Sequence, residues 1–287
     1  MDSSNHGHTT TDRDRRKATA EETEEAVREG IYETRDGEVV YISPEVAFSQ
    51  KHTVTFGPDV LTQMGRSVGS RSPAKIWAER IDTLAAAERM TRDGGLPVVL
   101  NFASAKNPGG GWLRGATGQE ESLSRRSALA STLAGNPEYR DIGESSLYRS
   151  WVIYSPMVPV IRDVEEQLIP HPWRCSFLTC PAPNLEGKLS QKELDQVPRI
   201  LRQRIDMILR VAVAKGHRRL VLGAWGCGVF KNNPTRVATI FKSALEDYET
   251  CVSEVVEILK QHQNRQGMVA LAVGMIGRIG QRHNSIR

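Results

Sequence analysis

Several features that would assign a protein class at once are scarce or missing in this 287-residue chain. It has four cysteines, and no two of them share a Cys-x-x-Cys spacing, so the sequence predicts neither a zinc site nor any other bound metal. The thiols fit a structural role in a reducing compartment, and we therefore expect a cytoplasmic protein. No run of about 18 apolar residues occurs, which argues against a membrane-spanning helix.

Neither the N-terminus nor the overall charge assigns the protein to a class. Residues 1–17 are polar and lack the apolar segment of a secretory signal, so we expect a disordered tail there. The net charge is +4, with 38 basic against 34 acidic residues, which is too small to predict sequence-specific binding of nucleic acid. A slight basic excess does favour an anionic substrate. The hydrophobic share of 39% is typical of a globular protein that buries a core.

The most informative stretch begins with an apolar strand, Pro97–Phe102, that runs into a triple glycine, Gly109–Gly111. Glycines have no Cβ, so backbone N–H groups of such a loop can closely approach an anion such as a phosphate. A short connection later, Gln119–Glu121 opens a helical pattern and brings two adjacent acids to a helix start. A phosphate-binding loop beside an acid suits a hydrolase that acts on a nucleotide sugar.

This stretch resembles the signature of the poly(ADP-ribose) glycohydrolases, specifically their microbial branch. The signature is a Gly-Gly-Gly run followed at short spacing by Gln-Glu-Glu on a macrodomain-like fold. Three further blocks resemble the same family in the same order: Val158–Asp163, Cys175–Asn184 and Val221–Phe230. Together the blocks cover roughly residues 75–250.

Alternating strand and helix patterns indicate an α/β fold, with the Gly-rich loops at strand ends. The resemblance narrows this to a three-layer macrodomain-like mixed sheet flanked by helices. We expect one catalytic domain over 18–287, with an N-terminal helical cap over 18–75. The expected helices are Ala18–Gly30, Thr83–Asp93, Gln119–Leu133, Pro198–Lys215, Thr235–Asp247 and one around Met268–Ile279. The expected strands are Glu38–Ile42, Pro97–Phe102, Trp151–Tyr154, Val158–Ile161, Cys175–Cys180, Arg219–Gly223 and an edge strand after Val255. The region Ser67–Ser72 is expected to be a loop.

The two acids cannot both act on opposite faces of one sugar, because adjacent helical residues diverge by about 100°. The resemblance assigns Glu121 to protonation of the leaving ribose oxygen and leaves Glu120 to hold ribose hydroxyls. The alternative for Glu121 is an acid that merely complements the helix dipole. A diphosphate about 6 Å away would disfavour the carboxylate by about 3 kcal/mol at an effective dielectric of roughly 20. We therefore expect Glu121 to carry its proton mainly when substrate is bound.

The expected substrate-binding residues lie in two loops. Gly109, Gly110 and Gly111 would wrap the diphosphate and the distal ribose, with a plain tight turn as the alternative. Asn101 resembles the family's amide that contacts the terminal ribose, although a polar strand end is also an ordinary structural feature. Gln119 is expected to orient the loop or the helix start.

The second loop follows the strand Arg219–Gly223 and consists of Gly226, Cys227, Gly228, Val229 and Phe230. Its backbone N–H groups are expected to hold the other side of the diphosphate. Cys227 fills a position that needs a small residue, and Phe230 is expected either to pack on the ribose or to belong to the core. Lys231 departs from the glycine that microbial relatives often have there.

The resemblance implies an enzyme that cuts ribose–ribose O-glycosidic bonds of poly(ADP-ribose) from the chain end and releases ADP-ribose, without a cofactor. The expected binding partners are poly(ADP-ribose) or ADP-ribosylated proteins, and no membrane is involved. The resemblance also implies a function in the response to DNA damage. Two alternatives stay open: a non-catalytic macrodomain that only binds ADP-ribose, and a hydrolase of single ADP-ribose marks. The acids Glu120 and Glu121 favour an enzyme, since a reader needs no carboxylate at the scissile bond.

Overall fold

The computed structural model describes residues 11–64, 74–139, 145–248 and 250–258. The helices are α1 (Asp12–Glu29), α2 (Ser43–His52), α3 (Val60–Gln63), α4 (Thr83–Arg92), α5 (Gln119–Arg126), α6 (Leu129–Leu133), α7 (Gln191–Ala214) and α8 (Pro234–Glu246). The strands are β1 (Ile31–Glu33), β2 (Val39–Tyr41), β3 (Val54–Phe56), β4 (Lys75–Glu79), β5 (Pro97–Phe102), β6 (Val152–Arg162), β7 (Leu168–Cys180), β8 (Arg219–Gly223) and β9 (Glu254–Ile258).

Seven strands form one mixed sheet in the order β3-β6-β7-β5-β8-β9-β4. The five strands from β7 to β4 are parallel, whereas β6 and β3 are antiparallel to their neighbours. Alternate residues of β5 enter different cores: Val98 and Leu100 pack with α7 and α8, and Val99 packs with α4 and α5. A strand buried on both faces reads as a continuous apolar run, as this one does. The expected three-layer mixed sheet is confirmed.

The first helix begins six residues earlier than expected. Thr11 accepts a hydrogen bond from the backbone N–H of Asp14, and the Asp14 carboxylate accepts one in return from the Thr11 N–H. This capping box satisfies two of the free donors at the helix start. The expected tail over 1–17 is therefore wrong for 12–17, which are helical, while residues 1–10 lie outside the described part.

The N-terminal extension over 18–75 is also less helical than expected. After α1, the strands β1 and β2 form a separate antiparallel pair, with Tyr32 opposite Val40. The strand β3 joins the edge of the main sheet by pairing with β6. Part of the extension is therefore built into the central sheet rather than laid over it.

The expected helix Gln119–Leu133 is two helices, α5 and α6. The chain leaves the helix at Ser127, whose φ and ψ of −149° and 170° are extended. Ser127 forms an isolated antiparallel bridge with Val160 of β6, and the N–H of Ala128 donates to the Pro159 carbonyl. This contact with the sheet replaces helical hydrogen bonds that the local sequence would support.

The long helix α7 begins at Gln191 and not at Pro198. Ser190 and Glu193 form a second capping box at its start. Pro198 lies inside the helix, where the missing N–H removes one intrahelical hydrogen bond. The burial of Val197, Leu201 and the following apolar stripe offsets that loss.

At the other end of the sheet, β9 lies between β8 and β4, so the strand expected at an edge is an interior one. The expected loop Ser67–Ser72 and the expected helix Met268–Ile279 lie outside the described residues. Among the residues that are described, no helix combines the length and apolar character needed to cross a bilayer. The same residues contain no group of three His, Cys, Asp or Glu side chains placed to hold a metal.

One strand residue, Glu257, is ionisable although its side chain is buried. Glu257 of β9 is only 1% exposed, and neither carboxyl oxygen has a hydrogen-bond partner among the described residues. Burial raises its pKa to about 8. The folded protein therefore holds this proton at a pH at which the unfolded chain has released it.

Replacing Glu257 by leucine tests whether the buried carboxyl lowers the stability of the protein as the pH rises. Because the pKa is higher in the folded state, wild-type stability should fall as the pH rises from about 4.5 to about 8. The Glu257→Leu variant should be more stable than the wild type, and its advantage should grow between pH 5 and pH 8. Urea unfolding at both pH values measures this, with Glu246→Leu on α8 as a control. An advantage that stays constant with pH would contradict the assignment.

Candidate active site

The candidate site lies at one edge of the sheet, where three neighbouring strands end. β7, β5 and β8 are parallel, so their carboxyl ends meet at the same edge. The loop after β5 carries Gly109–Gly111, and the loop after β8 carries Gly226–Phe230. Ligands of such sheets bind beyond the carboxyl ends of the strands. The fold therefore brings the two predicted glycine loops to one place.

Gln119 anchors the start of α5 to the strand β5. Its side-chain Nε2 donates to the Leu100 carbonyl at 2.8 Å, and its Oε1 accepts from the Phe102 N–H at 2.8 Å. The pairing of β5 with β8 stops at Val99, so this amide takes the place of a neighbouring strand beyond that point. These two hydrogen bonds hold the start of α5 against β5, and a contact between Gln119 and substrate stays a prediction.

Glu121, in the first turn of α5, faces the triple glycine. Its Oε1 accepts a hydrogen bond from the Gly111 N–H at 3.0 Å. A Cβ added at Gly110 or at Gly118 would overlap with the Glu121 carboxyl. Gly110 also has a φ of +65°, a conformation that glycine adopts readily and other residues rarely do. The glycines therefore make room for this carboxyl, and their contact with a ligand stays a prediction.

Glu120 points instead into the sheet edge and is 3% exposed. Its oxygens accept hydrogen bonds from the Ser104 N–H at 2.5 Å and from Asn101 Nδ2 at 3.3 Å. Burial raises the pKa of Glu120 to about 8; the Ser104 N–H opposes this shift, and the neighbouring charge of Glu121 adds to it. Below that pH, Glu120 is a neutral carboxyl group that can donate as well as accept.

Asn101 is fully buried at the end of β5 and supports Glu120. Its Nδ2 also donates to Thr179 Oγ1 of β7 at 3.2 Å, while its Oδ1 has no partner among the described residues. The expected contact between Asn101 and a ribose stays a prediction.

The triple glycine packs against the 3₁₀ turn Trp112–Arg114, and α1 supports that turn from behind. A Cβ at Gly109 would contact the Trp112 ring and Ser124 Oγ. Arg16 donates from Nε to the Gly115 carbonyl at 2.9 Å, and Arg13 donates from Nε to the Arg114 carbonyl at 3.1 Å. The N-terminal helix thus supports the loop that holds Glu121.

The second loop is fastened to the segment that follows β7. Gly226 has a φ of +72°, and a Cβ there would overlap with Ala182. The buried Asn232 donates from Nδ2 to the carbonyls of Pro183, at 2.7 Å, and Gly226, at 3.1 Å. The Leu185 N–H donates to the Phe230 carbonyl at 2.9 Å, which closes the loop.

The side chains of this loop divide between core and surface. Cys227 is half-buried and packs against Ala224 and Ala238, as a packing residue does. Val229 is 67% exposed, and Gly228 has open space where a Cβ would stand. Phe230 is half-buried and lies 5.9 Å from the Tyr148 ring, centroid to centroid. Lys231 has a φ of 56°, so it occupies a left-handed position that favours glycine.

Three residues that contribute to the site carried no usable signal in the sequence. Ser104 acts through its backbone N–H, and Thr179 reaches Asn101 from a strand 78 positions away. Tyr139 is buried, and burial followed by the charge of Glu120 raises its pKa well above the ordinary value. Only the packing of distant segments brings these groups to the two acids.

Comparisons with known proteins agree with this geometry. The sequence model of the family described as "Microbial-type PARG, catalytic domain" matches residues 20–163, where PARG stands for poly(ADP-ribose) glycohydrolase. The crystal structure of poly(ADP-ribose) glycohydrolase from Thermomonospora curvata is 39% identical, with a TM-score of 0.85 over 91% of this chain and 99% of that one. This chain belongs to the microbial-type PARG family.

Two further PARG structures carry ligands. The T. curvata protein bound to the inhibitor ADP-HPD is 37% identical, with a TM-score of 0.81 over 90% of this chain and 98% of that one. The Deinococcus radiodurans protein in complex with ADP-ribose is 35% identical, with a TM-score of 0.75 over 83% of this chain and 100% of that one. The comparison with curated proteins finds no match.

The contact between Gly110 and Glu121 predicts the effect of one methyl group. In Gly110→Ala, the new Cβ would displace the Glu121 carboxyl, so activity should fall by about 100-fold or more. Gly135→Ala is the matched control, because Gly135 also has a positive φ, +77°, but has nothing near its Cβ. The positive φ alone should cost both variants about 1 kcal/mol of stability. Equal activity of the two variants would contradict the argument.

Proposed function

We propose that this protein hydrolyses the ribose–ribose O-glycosidic bonds of poly(ADP-ribose) and releases ADP-ribose, with Glu121 as the general acid and base. The observation that carries this assignment is the position of the Glu121 carboxyl, hydrogen-bonded at 3.0 Å to a backbone N–H of the triple-glycine loop. A loop able to hold a diphosphate and an acid able to transfer a proton are therefore in direct contact. The ADP-ribose and ADP-HPD complexes of the relatives support the same ligand chemistry.

In the proposed reaction, Glu121 donates its proton to the oxygen of the leaving ribose, and the bond from that oxygen to the anomeric carbon of the other ribose breaks. The electron pair goes with the leaving oxygen, which leaves an oxocarbenium-like ribose next to the negative diphosphate. Glu121, now a carboxylate, takes a proton from water, and the resulting hydroxide adds to the anomeric carbon. Glu121 is protonated again at the end, so no cofactor is required.

Glu120 suits the supporting role that the sequence suggested. A neutral carboxyl group next to Glu121 adds no negative charge beside the diphosphate, and it can exchange hydrogen bonds with ribose hydroxyls. Asn101 and the Ser104 N–H hold it in place. The two acids thus have different tasks because one is buried at the strand end and the other faces the glycine loop.

Cleavage from the chain end, action in the response to DNA damage and a cytoplasmic location complete the proposal. Cys175, Cys180 and Cys227 are present as thiols, as expected in a reducing compartment, and they support the last of these. A reader of ADP-ribose that has no activity is the alternative, since the two glycine loops would suffice for binding. A hydrolase of single ADP-ribose marks is a second one. Glu121 favours a hydrolase of either kind, because binding alone gives no reason to seat a carboxyl against the loop.

Glu121→Gln tests the catalytic assignment. Removing the transferable proton should lower the release of ADP-ribose from labelled poly(ADP-ribose) by about 10²–10⁴-fold, while ADP-ribose still binds. Glu25→Gln, a change at an exposed acid of α1, serves as the control. Undiminished cleavage by Glu121→Gln would refute the role of Glu121. Binding without cleavage by the wild type would favour the reader, and release from single marks alone would favour the second alternative.

The raised pKa of Glu120 gives a separate, pH-dependent expectation. Ionisation of Glu120 above a pH of about 8 would place a negative charge near the diphosphate, so ADP-ribose affinity should fall as the pH rises through that value. In Glu120→Gln this fall should be absent. Isothermal titration calorimetry with ADP-ribose between pH 6.5 and about 9.5 measures this affinity for both proteins. The same fall in the variant would assign the effect to another group.

A further inference from the structure

The helix α7 carries a fully buried arginine, Arg204, on the same stripe as Leu201 and Ile205. A guanidinium stays charged in proteins and presents five donors in a rigid fork. Buried charges are ordinarily paired with an opposite charge, because removing an ion from water costs several kcal/mol. A buried arginine therefore needs an explanation that its apolar neighbours do not.

Arg204 donates its hydrogen bonds to neutral acceptors. Nη2 donates to the carbonyls of Leu147, at 2.6 Å, and Tyr148, at 2.8 Å. Nη1 donates to the Pro181 carbonyl at 2.9 Å, and Nε donates to Ser150 Oγ at 3.2 Å. Among the described residues, no carboxylate forms an ion pair with it. Within the described part of the chain, the positive charge is thus solvated by dipoles of the protein and has no carboxylate partner.

These acceptors belong to the two segments that hold the second glycine loop. The segment 145–150 pairs with 181–185 through Ser146 and Asn184, which exchange backbone and side-chain hydrogen bonds. The segment 181–185 in turn binds Gly226 and Phe230 of the loop, as described above. Tyr148, held by Arg204 at a φ of 59°, places its ring against Phe230.

We propose that Arg204 is a positioning residue for the second glycine loop, and that its hydrogen bonds raise the affinity for the anionic substrate by holding that loop in place. The proposal rests on the function proposed above, because it takes the loop Gly226–Phe230 as one side of the diphosphate site. Arg204 contacts neither the triple glycine nor α5 among its hydrogen-bond partners. Its effect should therefore fall on binding of the substrate more than on the proton transfer by Glu121.

The test compares Arg204→Met, which loses every donor, with Arg204→Lys, which keeps an amine donor but loses the rigid fork. Arg204→Met should raise the KM for poly(ADP-ribose) and the Kd for ADP-ribose by about 10-fold or more, with kcat changed less than about 3-fold. Arg204→Lys should fall between this variant and the wild type. Arg210→Met, on the same helix but bound to Met64 and Tyr248, is the matched control and should keep the wild-type KM.

Tyr148→Ala keeps the proposal testable if the Arg204 variants do not fold. It removes the ring against Phe230 from a half-buried position and should raise KM several-fold with kcat nearly unchanged. An unchanged KM in folded Arg204→Met, or in Tyr148→Ala, would overturn the positioning role. A wild-type KM in Arg204→Lys would overturn the role of the guanidinium fork. A wild type that binds ADP-ribose but releases none would refute the proposed hydrolysis, while the Kd values would still decide the role of Arg204.

Discussion

The site depends on a side-chain amide that takes the place of a strand. Beyond Val99, β5 loses its neighbour β8, and its peptide groups need other partners because unpaired backbone groups are costly to bury. Gln119 supplies both a donor and an acceptor, opposite Asn101, where a residue of a parallel strand would have paired. The first residue of α5 is thereby fixed to the sheet, and the positions of the next two residues follow from helical geometry.

Those two residues are chemically identical, and the fold makes them different. Successive helical residues diverge by about 100°, which directs Glu120 to the strand end and Glu121 to the glycine loop. Burial keeps Glu120 neutral up to a pH of about 8, whereas Glu121 is half-buried at a loop that leaves space for its carboxyl. Pairs of acids whose surroundings differ in this way are how enzymes assign two tasks to one residue type.

The local part of this arrangement could be predicted from the sequence. The apolar run of β5, the triple glycine and the acids after it are neighbours in the chain, so their pattern indicated the strand, the loop and the helix start. The family resemblance supplied the layered mixed sheet that joins them. The end of α5 could not be predicted in this way, because Ser127 leaves the helix for a bridge with Val160, more than thirty positions away.

The hydrogen-bond partners of Arg204 could not be predicted from the sequence either. Its place in the heptad-like stripe of α7 indicates burial, but an arginine on an apolar stripe gives no hint of which carbonyls it meets. Those acceptors come from Leu147, Tyr148 and Pro181, in two separate segments. The starts of α1 and α7 were different: their capping boxes are local, and the Thr-x-x-Asp and Ser-x-x-Glu patterns at Thr11 and Ser190 could have revealed both.

The contacts of α1 with the glycine loop redefine where the catalytic unit starts. Arg13 and Arg16 hold the carbonyls of Arg114 and Gly115, yet both arginines lie upstream of residue 20, where the match to the family begins. A shortened protein cut at the edge of the matched region would keep both glutamates and lose the brace behind them. Expression trials, inhibitor screens and engineered fusions should accordingly retain the chain from Thr11 onward.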